Sequence, residues 1–294
     1  MSHSLASLQH KINSAGDLQS VVRTMKAMAA VNITQYENAV NSLADYYQTV
    51  KLGLNVCFHQ SNPAATTTNY MLNNNHNNIA VIAFGSDQGL VGQFNNVLAE
   101  FLSKTLQTYS GKKHVWAIGE RIQPLLPTTD MNTGKIHRLP ISLDTISELV
   151  GELILEIEWY RENKGINQLF VFHNKPTSKS SYAATFHKLL PFDQNWKDEL
   201  VMDNWPSRSL PELLNSQKTT FKALITEYLF VSIYKACAES LASENASRLE
   251  AMLRAEKNIE ELLDGLNRNY RHQRQTGIDE ELFDLVAGYE ALLI

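Results

Sequence analysis

Two long stretches of the chain repeat apolar residues at alternating spacings of three and four. One stretch runs from Leu5 to Cys57 and the other from Phe221 to Tyr270, each interrupted by only a few polar residues. A hydrophobic repeat of about 3.5 residues that is held over many heptads is typical of a left-handed coiled coil, and is longer than an ordinary globular helix. The pattern therefore predicts two unusually long helices.

The positions of proline agree with this prediction. All eight prolines lie between Pro63 and Pro211, so residues 1–62 and 212–294 contain none. Proline costs about 3 kcal/mol in a helix interior, and long proline-free ends therefore permit long helices. Because the two ends flank one insertion, we expect them to pair as an antiparallel two-helix coiled coil. Ordinary core helices of an all-α domain are the alternative, which the length of the repeat disfavours.

The middle of the chain, residues 63–211, changes to a pattern of strands and helices. The predicted elements are strand Ile79–Phe84, helix Phe94–Leu106, strand His114–Ile118, helix Ile141–Arg161, strand Gln168–His173 and edge strand Ser181–Leu190. Asparagine-rich Met71–Asn78 is predicted to be a solvated loop. Strands that alternate with helices predict βαβ units and a mainly parallel sheet. The expected fold class is thus α/β, a Rossmann-like βαβ domain inserted between two coiled-coil helices.

Composition narrows the classes of partner. The 294 residues carry a net charge of -5, without the basic excess that binding to a nucleic-acid backbone requires. The longest apolar runs are far shorter than the roughly 20 residues that cross a bilayer, and we expect neither a membrane span nor a secretion signal. Cys57 and Cys237 are too few for a disulfide framework or a zinc cluster, which suits a reducing cytoplasm.

Candidate chemistry is sparse. The glycine-rich turn Gly85–Asn95 follows a strand and precedes a helix, but its spacing is neither G-x-G-x-x-G nor a phosphate-binding loop with lysine. A tight strand-to-helix turn is the preferred interpretation, and a doubly wound nucleotide-binding enzyme stays as an alternative. The nine histidines lack the i, i+4 spacing of metal ligands, and no nucleophile motif is present. We expect no metal, no cofactor and no catalytic residue.

Several motifs, in the same order along the chain, carry a family resemblance. Ser240–Met252 is similar to S-L-x-S-E-x-x-x-R-x-x-A-M, and Arg274–Leu282 with Val286–Gly288 is similar to R-Q-x-x-I-T-x-E-L…V-x-G. Gln19–Ala30 resembles Q-x-I-T-x-A-M-x-x-V-A-A, and Ser86–Asn95 resembles S-D-x-G-L-x-G-x-x-N. Together they resemble the gamma subunit, the central shaft, of F-type ATP synthases.

The resemblance implies a function and partners. The shaft would occupy the cavity of a hexamer of three alpha and three beta subunits, which hold the nucleotide sites, and would couple ion-driven rotation to ATP synthesis or hydrolysis. The α/β domain would attach it to the epsilon subunit and the membrane c-ring, at the cytoplasmic face of the bacterial inner membrane. Whether protons or sodium ions drive rotation is left open. A non-rotary coiled-coil scaffold or regulator is the rival interpretation.

The same resemblance assigns contacts with the beta subunit. Arg274 and Gln275 match the family's pair that hydrogen-bonds the beta catch loop, and the planar fork of arginine suits carboxylates. Weaker matches are Thr276, Glu281, Arg248, Arg23 and Met25.

Departures from the family pattern point to a divergent subclass, such as the alternative ATPase complexes of some bacteria. Gly277 replaces a serine, and because glycine weakens helices we expect a bend there. Lys26 stands where an acidic residue is usual, and Ser2–His10 lacks basic character. No thiol pair lies between Leu190 and Ser216, so the redox switch of chloroplast members is not expected.

Overall fold

The computed structural model describes residues 4–59, 78–127, 131–178, 181–192, 205, 209, 211–213 and 216–292. The chain divides into two compact units, one of residues 1–30 with 248–294 and one of residues 31–247. The predicted loop Met71–Asn78 lies outside the described residues except for Asn78, which begins the first strand.

Long helices occupy both proline-free ends, as the apolar pattern predicted. The described elements in chain order are α1 (Leu5–His59), β1 (Asn78–Phe84), α2 (Phe94–Leu106), β2 (Lys113–Ile118), a 3-10 helix (Gln123–Leu125), β3 (Met131–Thr133), α3 (Leu143–Lys164), β4 (Ile166–Ser178), β5 (Ser181–Leu190) and α4 (Gln217–Leu292). Helix α4 passes through Gly277 without interruption. The bend expected at that glycine stays a prediction.

The strands form one mixed sheet in the order β3-β2-β1-β4-β5. β1 is parallel to β2 and β4, β2 is parallel to β3, and β5 is antiparallel to β4. The mainly parallel sheet and the edge strand β5 are therefore confirmed, and the all-α alternative is wrong. The short strand β3 was not predicted.

Helix α3 begins two residues later than predicted because its cap is Ser142. The Ser142 backbone N–H donates to the hydroxyl of Thr145 at 3.1 Å, as in a capping box. The helix ends at Gly165, whose φ of 62° is the left-handed conformation that glycine adopts without strain.

Both faces of the sheet are covered, because successive strand residues point to opposite sides. On one face Val81 packs in a cluster with Leu98 and Leu102 of α2. On the other face the neighbouring Ile82 packs in a cluster with residues of α3, α1 and α4, among them Ile233. All of these side chains are fully buried. The continuous apolar run of β1 is thus explained by burial on both sides.

Within residues 31–247, helices α1 and α4 lie side by side and antiparallel. The amide of Asn32 donates to Asn245 Oδ1 at 3.3 Å, and the Tyr46 hydroxyl donates to Glu227 Oε2 at 2.7 Å. The residue on α1 with the higher number contacts the residue on α4 with the lower number, so the two helices run in opposite directions.

Candidate functional site: the junction between the sheet and helix α4

The turn after β1 is closed by its own side chains. The Ser86 backbone N–H donates to Asn95 Oδ1 at 2.9 Å, and Asn95 Nδ2 donates back to Ser86 Oγ at 2.8 Å. Gly119, at the end of β2, has φ of +104°, and a Cβ there would lie 2.9 Å from the backbone of Ser86. Ser86 and Asn95 therefore close the turn, and Gly119 lets the end of β2 approach it closely.

Asp87 joins the same turn to two further loops. Its Oδ1 accepts a hydrogen bond from the backbone N–H of Glu120, and its Oδ2 accepts one from that of Leu139, each at 2.9 Å. Charged acceptors make the stronger class of hydrogen bond. The carboxylate thus fixes the connections on both sides of the short strand β3.

Helix α4 covers the carboxyl ends of the central strands with a row of serines. Ser240 Oγ donates to the carbonyl of Phe84 at 3.2 Å, and Ser247 Oγ donates to that of Val91 at 2.5 Å. Open α/β sheets bind ligands in the crevice beyond the carboxyl ends of their strands. Here the chain's own helix occupies that crevice, which disfavours the nucleotide-enzyme interpretation.

A third serine connects α4 to β4. Ser243 Oγ lies 2.9 Å from the carbonyl of Asn174 and 2.9 Å from that of Glu239, and the Asn174 amide in turn donates to the carbonyl of Phe94 at 3.0 Å. Ser243 and Asn174 are both fully buried. A chain of hydrogen bonds therefore links α4, β4 and the start of α2.

A buried acid–base pair lies beside this chain of bonds. His173 Nε2 on β4 is 2.7 Å from Glu239 Oε2 on α4, and Lys175 Nζ is 3.9 Å from Glu239 Oε1. Burial alone would raise the pKa of Glu239. The His173 hydrogen bond and the charges of His173, Lys175 and Lys235 outweigh this effect and hold the pKa below its ordinary value. Desolvation by the surrounding protein lowers the pKa of His187, and repulsion from His173 adds to this.

Sequence reasoning considered histidine only as a metal ligand and missed this pair. A weak signal existed: Ser240, Ser243 and Ser247 recur at helical spacing within an apolar seam, and Glu239 directly precedes them. A hydroxyl on a buried helix face needs a hydrogen-bond partner, either in its own helix or in the element that packs on that face. Nothing in the sequence indicated which strand that element would be.

Four of the residues assigned to the beta subunit are exposed near the end of α4. Arg274, Gln275, Thr276 and Glu281 all face solvent. The Thr276 hydroxyl donates to the carbonyl of His272 one turn earlier, at 3.1 Å. The side chains of Arg274, Gln275 and Glu281 form no hydrogen bond or ion pair with any residue that the structure describes, so their polar groups face solvent.

Arg23, by contrast, is engaged within the chain. Its Nε lies 2.9 Å from Glu256 Oε1, and its Nη2 lies 3.4 Å from Glu260 Oε1. Lys26, which departs from the family pattern, bonds to the other oxygen of Glu256. Hydrogen bonds from Lys26 and Arg23 lower the pKa of Glu256. The structure therefore assigns Arg23 to pairing between α1 and α4.

The last two assigned residues, Met25 and Arg248, are half-buried. They are less available to a partner than the exposed residues near the end of α4.

Comparison with known proteins identifies the family. A family model described as ATP synthase matches residues 4–292. The "ATP synthase gamma chain" of Histophilus somni strain 129Pt is 26% identical over 291 residues, covering 97% of this chain and 98% of that protein. The chain belongs to the ATP synthase gamma-chain family. The resemblance in the sequence is confirmed, and the gamma chain is the central rotor stalk of an F-type ATP synthase, a non-catalytic subunit.

Further relatives agree with this family. The gamma chain of Christiangramia forsetii is 24% identical over 294 residues, covering 98% of both chains. The rotary-state-3 cryo-EM structure of the Euglena gracilis mitochondrial ATP synthase has a chain of similar fold, with a TM-score of 0.60 and 14% identity, over 98% of this chain and 94% of that one. The central stalk and c-ring structure from Tetrahymena thermophila matches 80% of this gamma chain and 99% of that chain, with a TM-score of 0.51 and 17% identity.

The length of an apolar helix decides whether it can cross a bilayer, which takes roughly 20 apolar residues. None of the described helices of the gamma chain has an apolar stretch long enough to span a membrane.

Proposed function

We propose that this gamma chain rotates inside a hexamer of three alpha and three beta subunits and couples ion-driven rotation to ATP synthesis or hydrolysis. The observation that carries the proposal is the family match over residues 4–292. Within residues 31–247, α1 and α4 are antiparallel, as a two-helix shaft requires. One asymmetric rod presents a different face to each beta subunit, and can therefore favour a different conformation at each.

The coupling is reciprocal. Because each orientation of the rod favours one set of nucleotide affinities, torque changes those affinities and ATP hydrolysis turns the rod in the opposite direction. This chain needs no catalytic residue for that role. The coupling ion, a proton or sodium, is selected by membrane subunits.

We assign the parts of the rod as the sequence suggested. Residues 1–62 and 212–294 form the antiparallel coiled-coil shaft, and residues 63–211 form a Rossmann-like α/β domain. The four parallel strands in the order β3-β2-β1-β4 support that comparison, since a Rossmann sheet begins with the same order. The sustained heptad repeat of both ends supports the coiled coil.

The partners beyond the hexamer are the epsilon subunit and the membrane c-ring. Solved relatives are named for the central stalk and c-ring and for F1 with the c-ring. Such a complex would place this chain at the cytoplasmic face of the bacterial inner membrane, as a peripheral subunit. Gly277 and Lys26 support membership of a divergent subclass such as the alternative bacterial ATPases.

Arg274 and Gln275 are the residues that we assign to the beta catch loop. Both are exposed and their side chains make no polar contact within the described part of the chain, so their side-chain N–H groups are free to bind a carboxylate. Thr276, Glu281, Arg248 and Met25 are secondary contacts. Arg23 is the weakest, because its guanidinium already pairs with Glu256 and Glu260.

Co-expression with the alpha and beta subunits of the same source tests the function. We expect one copy of the chain per hexamer and an azide-sensitive increase in ATP hydrolysis. A folded chain that remains apart from the hexamer and leaves hydrolysis unchanged would reject the rotary role. That result would favour the scaffold or regulator.

The beta contact has a separate test. We expect Arg274→Ala with Gln275→Ala to lower coupled ATP synthesis in the assembled complex, while the chain still folds. Arg268→Ala is the matched control, since Arg268 is another exposed arginine on α4, six residues before Arg274. Coupled synthesis equal to that of the control would contradict the assignment.

A further inference from the structure

The junction between the sheet and α4 holds two kinds of contact. Ser240, Ser243 and Ser247 join α4 to backbone carbonyls by neutral hydroxyl bonds. His173 and Glu239 instead join two side chains, one from β4 and one from α4, at 2.7 Å. His173 is 0% exposed and Glu239 is 6% exposed. A carboxylate is therefore buried where the helix meets the sheet.

Resting on the proposed function, we propose that His173 is a positioning residue for torque transfer, which holds Glu239 and so fixes the rotation of α4 against β4. A serine hydroxyl turns freely about its Cβ–Oγ bond, so it can keep its hydrogen bond when the helix rotates slightly. A hydrogen bond to a carboxylate is shorter and roughly twice as strong as one between neutral groups. Separating the pair would leave a buried carboxylate without its donor, which is a large penalty.

The surroundings of the pair argue for positioning rather than for stability alone. His173 Nδ1 is buried and has no hydrogen-bond partner in the described residues, so the site is not arranged to satisfy the whole ring. Buried charged pairs can often be replaced by apolar side chains without loss of stability, whereas in some proteins they fix one register. An apolar contact in this place would allow α4 to slip.

The charged and titratable groups around the pair come from three elements. Lys175 on β4 lies 3.9 Å from Glu239, and Lys235 on α4 also acts on its charge. On β5, the ring of His187 lies 5.6 Å from that of His173 and is tilted by 30°. No hydrogen bond from His187 to Glu239 is found in the described structure, which makes His187 a suitable control.

The test uses the complete complex in liposomes, with ATP hydrolysis and the membrane potential measured on the same sample. A potential-sensitive dye reports either coupling ion. We expect His173→Leu and Glu239→Leu each to weaken the chain, and the double variant to recover its unfolding midpoint and its ATP hydrolysis. The potential per ATP hydrolysed should stay low in the double variant. Full recovery of that ratio would overturn the inference.

A second pair of variants covers the case in which the leucine variants do not assemble. In His173→Gln the amide nitrogen can replace Nε2 as donor, whereas in His173→Asn the side chain is too short to reach Glu239. We expect the ratio of potential to hydrolysis to be kept in the first and lost in the second. His187→Asn should leave it unchanged. Equal ratios in His173→Gln and His173→Asn would overturn the inference.

The two proposals fail differently. A wild-type chain that never joins the hexamer would overturn the rotary function and this inference together. A wild-type chain that couples, beside a His173→Asn variant that couples equally well, would overturn only the role of His173.

Discussion

Replacing Ser243 by alanine removes one buried hydroxyl from the junction and changes little else. The hydroxyl lies 2.9 Å from the carbonyls of both Asn174 and Glu239, and it can donate to one of them at a time. Glu239 is four residues earlier on α4, so its carbonyl also accepts the backbone N–H of Ser243 in the helix. The bond to Asn174 is therefore the one whose loss should matter.

The expected cost follows from that geometry. Losing a buried neutral hydrogen bond costs about 1 kcal/mol, and leaving the Asn174 carbonyl short of a partner raises this to at most about 3 kcal/mol. Alanine returns about 0.5 kcal/mol because it is the better helix former. Ser42→Ala is the matched control: Ser42 donates to the carbonyl four residues earlier, at 2.9 Å, but is exposed on α1.

Urea unfolding of both variants, followed by circular dichroism and tryptophan fluorescence, measures the difference. Ser42 and Ser243 belong to the same compact unit, so the same transition reports both. We expect Ser243→Ala to be less stable than Ser42→Ala by about 1–3 kcal/mol. A difference within about 0.5 kcal/mol, the range of ordinary surface substitutions, would show that the Ser243 hydroxyl adds nothing to the junction.

Three further predictions concern the same unit. Gly119→Ala should destabilise the chain by about 1–3 kcal/mol, because alanine is strained at the positive φ of this position. Gly89→Ala is the control and should have little effect, since an added Cβ there meets nothing within 4 Å. Thermal unfolding of the two variants measures the difference. Burial raises the pKa of Glu239, but the hydrogen bond with His173 and nearby positive charges outweigh burial, so the pKa in the folded chain is lower than in the unfolded chain. The ionised Glu239 therefore stabilises the fold above the unfolded pKa, and this stabilisation is lost as the pH falls through the folded pKa. Glu239→Gln should flatten that acid limb of the stability curve, and an unchanged limb would contradict the assignment. Both cysteines are buried and their pKa values are raised by burial, so a thiol reagent at neutral pH should label the chain only after unfolding.

Helices and strands whose apolar residues repeat at regular spacing were predictable from the sequence. Helix α2 spans Phe94–Leu106 as predicted, because its apolar positions repeat at helical spacing between a glycine turn and a polar segment. The strand predicted as Gln168–His173 is longer, Ile166–Ser178, since hydrogen bonds with β5 continue through polar residues that carry no pattern. Strand β3, only three residues long, depends on pairing with β2 rather than on its own propensity.

The candidate site was less accessible to sequence reasoning. The exposed pair Arg274 and Gln275 could be named by family resemblance, although no feature of the residues themselves indicates a partner. The pair His173 and Glu239 is separated by 66 residues, and the topology alone brings it together. Arg23 is the opposite case: it matches the family motif, but its side chain already forms an ion pair with Glu256 of the same chain.

The covering of the sheet by α4 has a consequence for biosynthesis. Ser240 contacts Phe84 across 156 residues, so the carboxyl end of β1 leaves the ribosome long before its cover is made. At about 5–20 residues per second the delay is on the order of ten seconds. During that time unpaired carbonyls and the apolar face of the sheet remain open to water and to other nascent chains. We therefore expect the newly made α/β segment to be a chaperone client until α4 arrives.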